Sequence, residues 1–104
     1  VTKADIIDRI ASGTGLTRIE TEAVVNGFIS TVADALQQGD GIELRGFGSF
    51  RVQLRKARKA RNPHTNEEMR IGPRYVPVFR PSSELRKNVD RSMKARRRTK
   101  EDGR

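Results

Sequence analysis

Apolar residues recur at helical spacing through the first forty positions and at every second position through the next fifteen. Thr2 and Asp5 read as the cap and first turn of a helix carrying Ile7, Ile10 and Ala11, which Gly13 and Gly15 then end. Leu16 leads into Thr17-Arg18-Ile19-Glu20, a capping-box spacing in which the glutamate side chain can answer the threonine backbone donor. Val24, Phe28, Val32 and Leu36 follow at intervals of four, and Val25, Ile29, Ala33 and Ala35 widen the stripe. That pattern predicts a helix of about five turns, stopped at Gly39-Asp40-Gly41. A helical hairpin is the expected result.

After Gly41 the period is two. Ile42 and Leu44 alternate with Glu43 and Arg45, Gly46-Phe47-Gly48 makes a tight turn, and Phe50, Val52 and Leu54 continue on a second strand. From Arg55 to Arg61 the only apolar side chains are two alanines, and Asn62-Pro63-His64-Thr65-Asn66 predicts a turn. Met69, Ile71, Val76, Val78 and Phe79 mark a returning strand, in which Pro73 and Pro77 remove ladder donors and imply a free edge. Pro81-Ser82-Ser83 offers caps for a last short helix with Leu85 and Val89, and Arg91–Arg104 reads as a basic, disordered tail.

As a strand, residues 51–62 would span about 35 Å at roughly 3.3 Å per residue, whereas a domain of this size has a radius of gyration near 13 Å. A ribbon that long, read as polar on both faces past Leu54, is expected to project as a mobile arm over about 52–76. Tyr75 is expected at its root with the ring packed. The rest is an α+β core of three helices and a short antiparallel sheet, too small to cover Phe28, Phe47, Phe50 and Phe79. An intertwined dimer with these four rings in its core is the physical remedy.

Charge narrows the function. Lys and Arg number 22 against 13 Asp and Glu in 104 residues, a net +9 with a pI near 11. Residues 1–50 carry a net −3 and residues 51–104 a net +12, which divides a folding half from a half that meets a polyanion. No cysteine is present, so a disulfide scaffold, a thiolate zinc site and a thiol nucleophile are excluded. No apolar run is long enough for a bilayer, and none at the start resembles a secretion signal, so a cytosolic, nucleic-acid-facing protein is expected.

His64 is the single histidine, and neither a metal set nor a carboxylate–imidazole pair can be assembled around it. Glu67 and Glu68 are strand neighbours on opposite faces, and Gly46-x-Gly48 lacks the third glycine of a dinucleotide loop. No catalytic residue, metal or cofactor is therefore expected. Aromatic residues are too few for a base-stacking platform. An RNA-binding protein, a small nuclease and a basic coat protein remain alternatives on composition alone.

Three ordered motifs carry a family likeness. Gly46-Phe47-Gly48-Ser49-Phe50, Arg61-Asn62-Pro63-x-Thr65 and Val76-Pro77-Val78-Phe79-Arg80-Pro81 closely resemble the bacterial HU and integration host factor family, over residues 2–90 without gaps. The resemblance implies an intertwined dimer, with an identical or related chain, whose two arms grip the minor groove of double-stranded DNA. It further implies a preference for bent or distorted DNA, compaction of bacterial chromosomal DNA, a place in the nucleoid, and no membrane or small-molecule partner.

Carried onto this chain, Pro63 resembles the wedge that enters a base step, and Arg61 and Asn62 the minor-groove contacts beside it. Arg55, Lys56, Arg58, Lys59 and Arg70 resemble the arm bases, and Lys3, Arg45, Gly46, Arg80 and Lys87 the phosphate contacts of the body. Ile42-Glu43-Leu44-Arg45 is closer to the integration host factor beta subunit than to most HU proteins, which implies a sequence-reading role for Glu43 and Arg45. Ala60, Asn66 and Ser82 stand where the family usually has glycine, Gly41 where the sequence-reading subunit has arginine, and residues 91–104 lie outside the pattern.

Overall fold

The computed structural model describes the backbone of residues 1–103 and the side chains of residues 1–99. Two compact units follow one another, Val1–Gln38 and the chain from Gly39 onward.

The first unit is the expected helical hairpin, α1 (Lys3–Thr14) and α2 (Arg18–Gln37). Both helices open on a complete capping box, Thr2 with Asp5 and Thr17 with Glu20. Gly15 closes α1 in the left-handed region at φ 78°, its N–H bonded to Ala11 O, a conformation that glycine adopts without a Cβ penalty. Lys3 Nζ donates to Asn26 Oδ1 at 2.9 Å and Arg18 pairs with Asp8 at 3.5 Å, tying the helices together. Ile7 and Thr21 are the buried residues, and the Thr21 hydroxyl is satisfied by Thr17 O at 2.9 Å.

Donation from the Thr17 backbone, then its side chain, holds the Glu20 carboxyl below its ordinary 4.5. A lowered carboxylate stabilises the fold above its ordinary titration range and loses that contribution as pH falls through the lowered value. In acid titrations followed by helical ellipticity, Glu20→Gln is therefore expected to lose less helical signal than wild type as pH falls below 4.5. Superimposable acid limbs would contradict the role given to this cap.

The second unit runs β1 (Ile42–Leu44), β2 (Gly48–Arg55), β3 (Arg58–Arg61), β4 (Glu68–Ile71), β5 (Arg74–Pro81) and α3 (Ser83–Gly103). β1, β2 and β5 form an antiparallel sheet in the order β1-β2-β5, and β3 pairs with β4. The ladder β2–β5 ends at Arg55–Arg74, and β3–β4 begins at Arg58–Ile71. Each strand advances three residues across the interruption, so the two ladders keep one register and form a single long ribbon, broken where Lys56-Ala57 stands opposite Gly72-Pro73. The projecting arm of the sequence reading is present as this ribbon.

A proline has no donor to give its ladder partner, so Pro77, opposite Val52, occupies a position whose N–H site points away from β2. Pro73 and Pro81 share that parity, four residues to either side. The outer edge of β5 is thereby stripped of a donor at every second outward position.

The β1–β2 turn is pinned from two sides. Phe47 N–H donates to Leu44 O at 2.9 Å, and Ser82 N–H donates to Phe47 O at 2.8 Å. The Ser82 hydroxyl donates to Gly46 O at 3.0 Å and accepts from Leu85 N–H at 3.1 Å, so one side chain caps α3 and ties it to the turn. Phe79 packs against Phe47 and Phe50, with ring centroids 5.1 and 4.9 Å away. At Gly48 an added Cβ would lie 2.7 Å from the Phe79 ring and also meet Arg80 O. Gly48→Ala is accordingly expected to cost about 2–3 kcal/mol of unfolding free energy, measurable by denaturant titration; a midpoint equal to wild type would refute this packing.

Four expectations need correction. The last helix, expected to be short, is long, Ser83–Gly103. Residues 91–103, expected as a disordered tail, continue it, because Met, Lys, Ala and Arg are strong helix formers and Lys94 reaches Asp90 at 3.0 Å one turn away; Arg104 lies outside the described residues. The ribbon is not polar on both faces past Leu54, since Tyr75, Ile71, Met69 and Ala60 share one face with Leu54. The Tyr75 ring is exposed, not packed.

Candidate nucleic-acid interface

Directly paired residues of an antiparallel ladder project to the same side, so the register sorts the ribbon's side chains. One face carries Phe50, Val52, Leu54 and Ala60 with Phe79, Pro77, Tyr75 and Met69 opposite them, and Arg58 opposite Ile71. The other carries Arg51, Gln53, Arg55, Lys59 and Arg61 on the outgoing strand and Arg80, Val78, Val76, Arg74, Arg70 and Glu68 on the return. By register, seven bases thus share one face of the ribbon.

Two rows of this cationic face oppose like charges directly, Arg55 with Arg74 and Lys59 with Arg70. Such pairs destabilise a sheet unless an anion lies between them. Lys59 finds partial relief in Glu68 at 3.6 Å, an exposed pair worth little. Among the described residues the side chains of Arg55, Arg70 and Arg74 make neither a hydrogen bond nor an ion pair. The arrangement is a row of solvated cations held in register by backbone bonds.

The tip is a hydrogen-bonded turn. Asn62 N–H donates to Glu67 O at 2.9 Å and Asn66 N–H to Asn62 O at 2.7 Å. His64 N–H donates to Asn62 Oδ1 at 2.9 Å, Glu67 N–H to Thr65 Oγ1 at 3.3 Å, and Arg61 Nη1 to Asn66 O at 3.3 Å. Asn66 sits at φ 59°, and asparagine takes up this left-handed conformation where the family motif usually has glycine. None of these bonds uses the Pro63 side chain, whose ring stands exposed at the end of the ribbon. The turn presents an exposed apolar ring on an internally hydrogen-bonded loop.

Among the sequence-predicted site residues, Arg55, Lys59, Arg61 and Arg70 share the cationic face, and Pro63 and Asn62 form the tip. Arg58 falls on the apolar-lined face, and Lys56 stands in the interruption with the same parity. Arg80 begins the cationic face at the sheet, in one row with Ser49 and Glu43. Arg45 lies in the turn after β1, next to Gly46, which takes φ 83°. Lys87 is exposed on α3, and Lys3 belongs to the helical unit, bonded to Asn26. Phe47 and Phe50 flank Phe79 in one cluster, whereas Phe28 lies on α2.

Sequence reasoning missed Arg51 and Arg74. The signal was available: bases at alternate positions going out, and at the complementary parity coming back, mark one face once the turn fixes the pairing. Among the described residues no cluster of His, Asp and Glu is arranged to hold a metal ion, and no helix is long and apolar enough to cross a membrane.

Comparison with known proteins places this geometry. The family model for bacterial DNA-binding proteins matches residues 1–90. The chain is 41% identical over 91 residues to integration host factor subunit beta of Shewanella pealeana, covering 86% of this chain and 96% of that one. It is 39% identical to DNA-binding protein HU of Thermus thermophilus, covering 86% and 92%. An Anabaena HU–DNA cocrystal structure superposes with a TM-score of 0.80 at 37% identity, covering 86% of this chain and 97% of that one.

Proposed function

The chain belongs to the bacterial DNA-binding protein family of HU and integration host factor, and on that premise we propose that it is an architectural DNA-binding protein that bends and compacts bacterial chromosomal DNA. It is not an enzyme. The observation that carries the mechanism is the ribbon with one cationic face, ending in an exposed Pro63 on an internally bonded turn.

In this mechanism the ribbon lies along the minor groove of double-stranded DNA. Arg51, Arg55, Lys59, Arg70 and Arg74 meet phosphates and release counterions, so affinity falls with salt at about 0.9 log–log units per neutralised phosphate. Arg61 and Asn62 reach into the groove beside Pro63, whose ring enters one base step and unstacks it. Kinking costs a few kcal/mol and is repaid when the bent duplex wraps more basic surface. Lys3, Arg45, Gly46, Arg80 and Lys87 are the phosphate contacts assigned to the body, and the bend favours sites that deform easily. Glu43 and Arg45 add a bias toward particular sequences.

Two chains act together, identical or related. Phe28, Phe47 and Phe79 are 49, 47 and 40% exposed in the single chain, an apolar load that a second copy covers as the dimer core with Phe50. The assembly works in the bacterial cytoplasm, on the nucleoid.

The test is binding of the purified chain to linear, pre-bent and four-way duplexes of equal length across a salt series. Tighter binding to the distorted duplexes, with a linear log–log salt dependence, is expected. Equal or tighter binding to A-form RNA would favour an RNA-binding protein instead.

A further inference from the structure

Residues beyond 90 lie outside the family match, and the structure gives them a regular shape, since α3 continues through them. At about 100° per residue, Lys87, Arg91, Lys94 and Arg98 fall in one stripe, separated by four, three and four positions. Leu85, Val89 and Met93 form a second stripe on the opposite side of the helix. The four bases are exposed, and among the described residues Asp90 holds Lys94 at 3.0 Å in a solvated pair that a phosphate can displace.

We propose that the stripe Lys87-Arg91-Lys94-Arg98 is a second phosphate-binding surface, a helical rail that takes the sugar–phosphate backbone of duplex DNA beyond the stretch held by the ribbon. The inference rests on the DNA-binding reading above. From Lys87 to Arg98 the helix rises about 16 Å at 1.5 Å per residue, a length over which one strand presents about five phosphates at 3.4 Å along the axis. The stripe starts at Lys87, already assigned to a phosphate, so the rail extends an existing contact. A bilayer surface fits less well: the opposite stripe is three residues wide, without the aromatic anchors of interfacial helices.

Two variants of the full chain test it by anisotropy titrations on a long duplex across a salt series. Arg91→Gln, Lys94→Gln and Arg98→Gln together should reduce the log–log salt slope by about 2.7 per chain. The second variant exchanges neighbours, Arg91→Ser with Ser92→Arg, Lys94→Ala with Ala95→Lys, and Arg98→Thr with Thr99→Arg. Composition and net charge are kept, but the bases turn about 100° away from Lys87, and the slope should fall nearly as far as in the first. A wild-type slope in the exchanged variant would mean that charge counts and placement does not, which overturns the rail. A wild-type slope in the neutralised variant, with loss of binding to phosphatidylglycerol vesicles, would make the stripe a membrane surface and overturn it too. Wild-type protein with no affinity for duplex DNA would instead sink the underlying function.

Discussion

A chain with Arg55, Lys59, Arg70 and Arg74 all replaced by glutamine is expected to bind duplex DNA on the order of 10³–10⁴-fold more weakly at ~100 mM salt, with its log–log salt slope reduced by about 3.6 per chain. The same replacement should tighten the free ribbon. Arg55 faces Arg74 and Lys59 faces Arg70 directly across the ladder, and removing each opposed pair relieves up to about 1 kcal/mol of repulsion. Amide hydrogen exchange in β3 and β4 should therefore slow while DNA binding collapses. The two readouts move in opposite directions because the face is built to meet an anion, not to stabilise the fold. An unchanged salt slope would remove the ribbon from the interface, and faster exchange would refute the opposed-charge account.

Pro63→Ala should separate bending from binding. The tip bonds run through Asn62, Thr65, Asn66 and Glu67, so the variant is expected to fold and pair as wild type does. Its methyl group is too short to fill an opened base step. Bending a site of 20–30 base pairs by 40–90° costs about 1–6 kcal/mol, and each 1.4 kcal/mol of lost compensation is about a factor of ten. Ring closure of short DNA fragments should thus fall at least about tenfold, with a smaller loss of affinity because the cationic face is intact. Pro63→Leu, which restores apolar bulk, should recover part of the closure. Closure by Pro63→Ala at the wild-type rate would remove the wedge role.

The helical hairpin was legible down to its caps because those signals are local: Thr2 with Asp5 and Thr17 with Glu20 each lie three residues apart. The change to period two after Gly41 and the turn at Asn62–Asn66 were local in the same sense. The division of the ribbon into two faces was not. Read alone, Arg55–Arg61 has two alanines and no apolar face; only the register, with Arg58 against Ile71 and Ala60 against Met69, shows that the return strand supplies one. Arg74, hidden between Pro73 and Tyr75 in sequence, joins the site for the same reason. The far end of α3 was misread because little past Met93 can be buried, and burial is only one source of helix. Propensity carries the rest.

The proline spacing on β5 has a consequence for a protein that must work crowded along its own ligand. A bare strand margin is an invitation for a neighbouring molecule's strand to add on, and once begun such addition does not stop. With Pro73, Pro77 and Pro81 in the outward positions, only Tyr75 and Phe79 between them can offer an N–H to a newcomer. That margin of β5 therefore gives a neighbouring molecule's strand little to pair with.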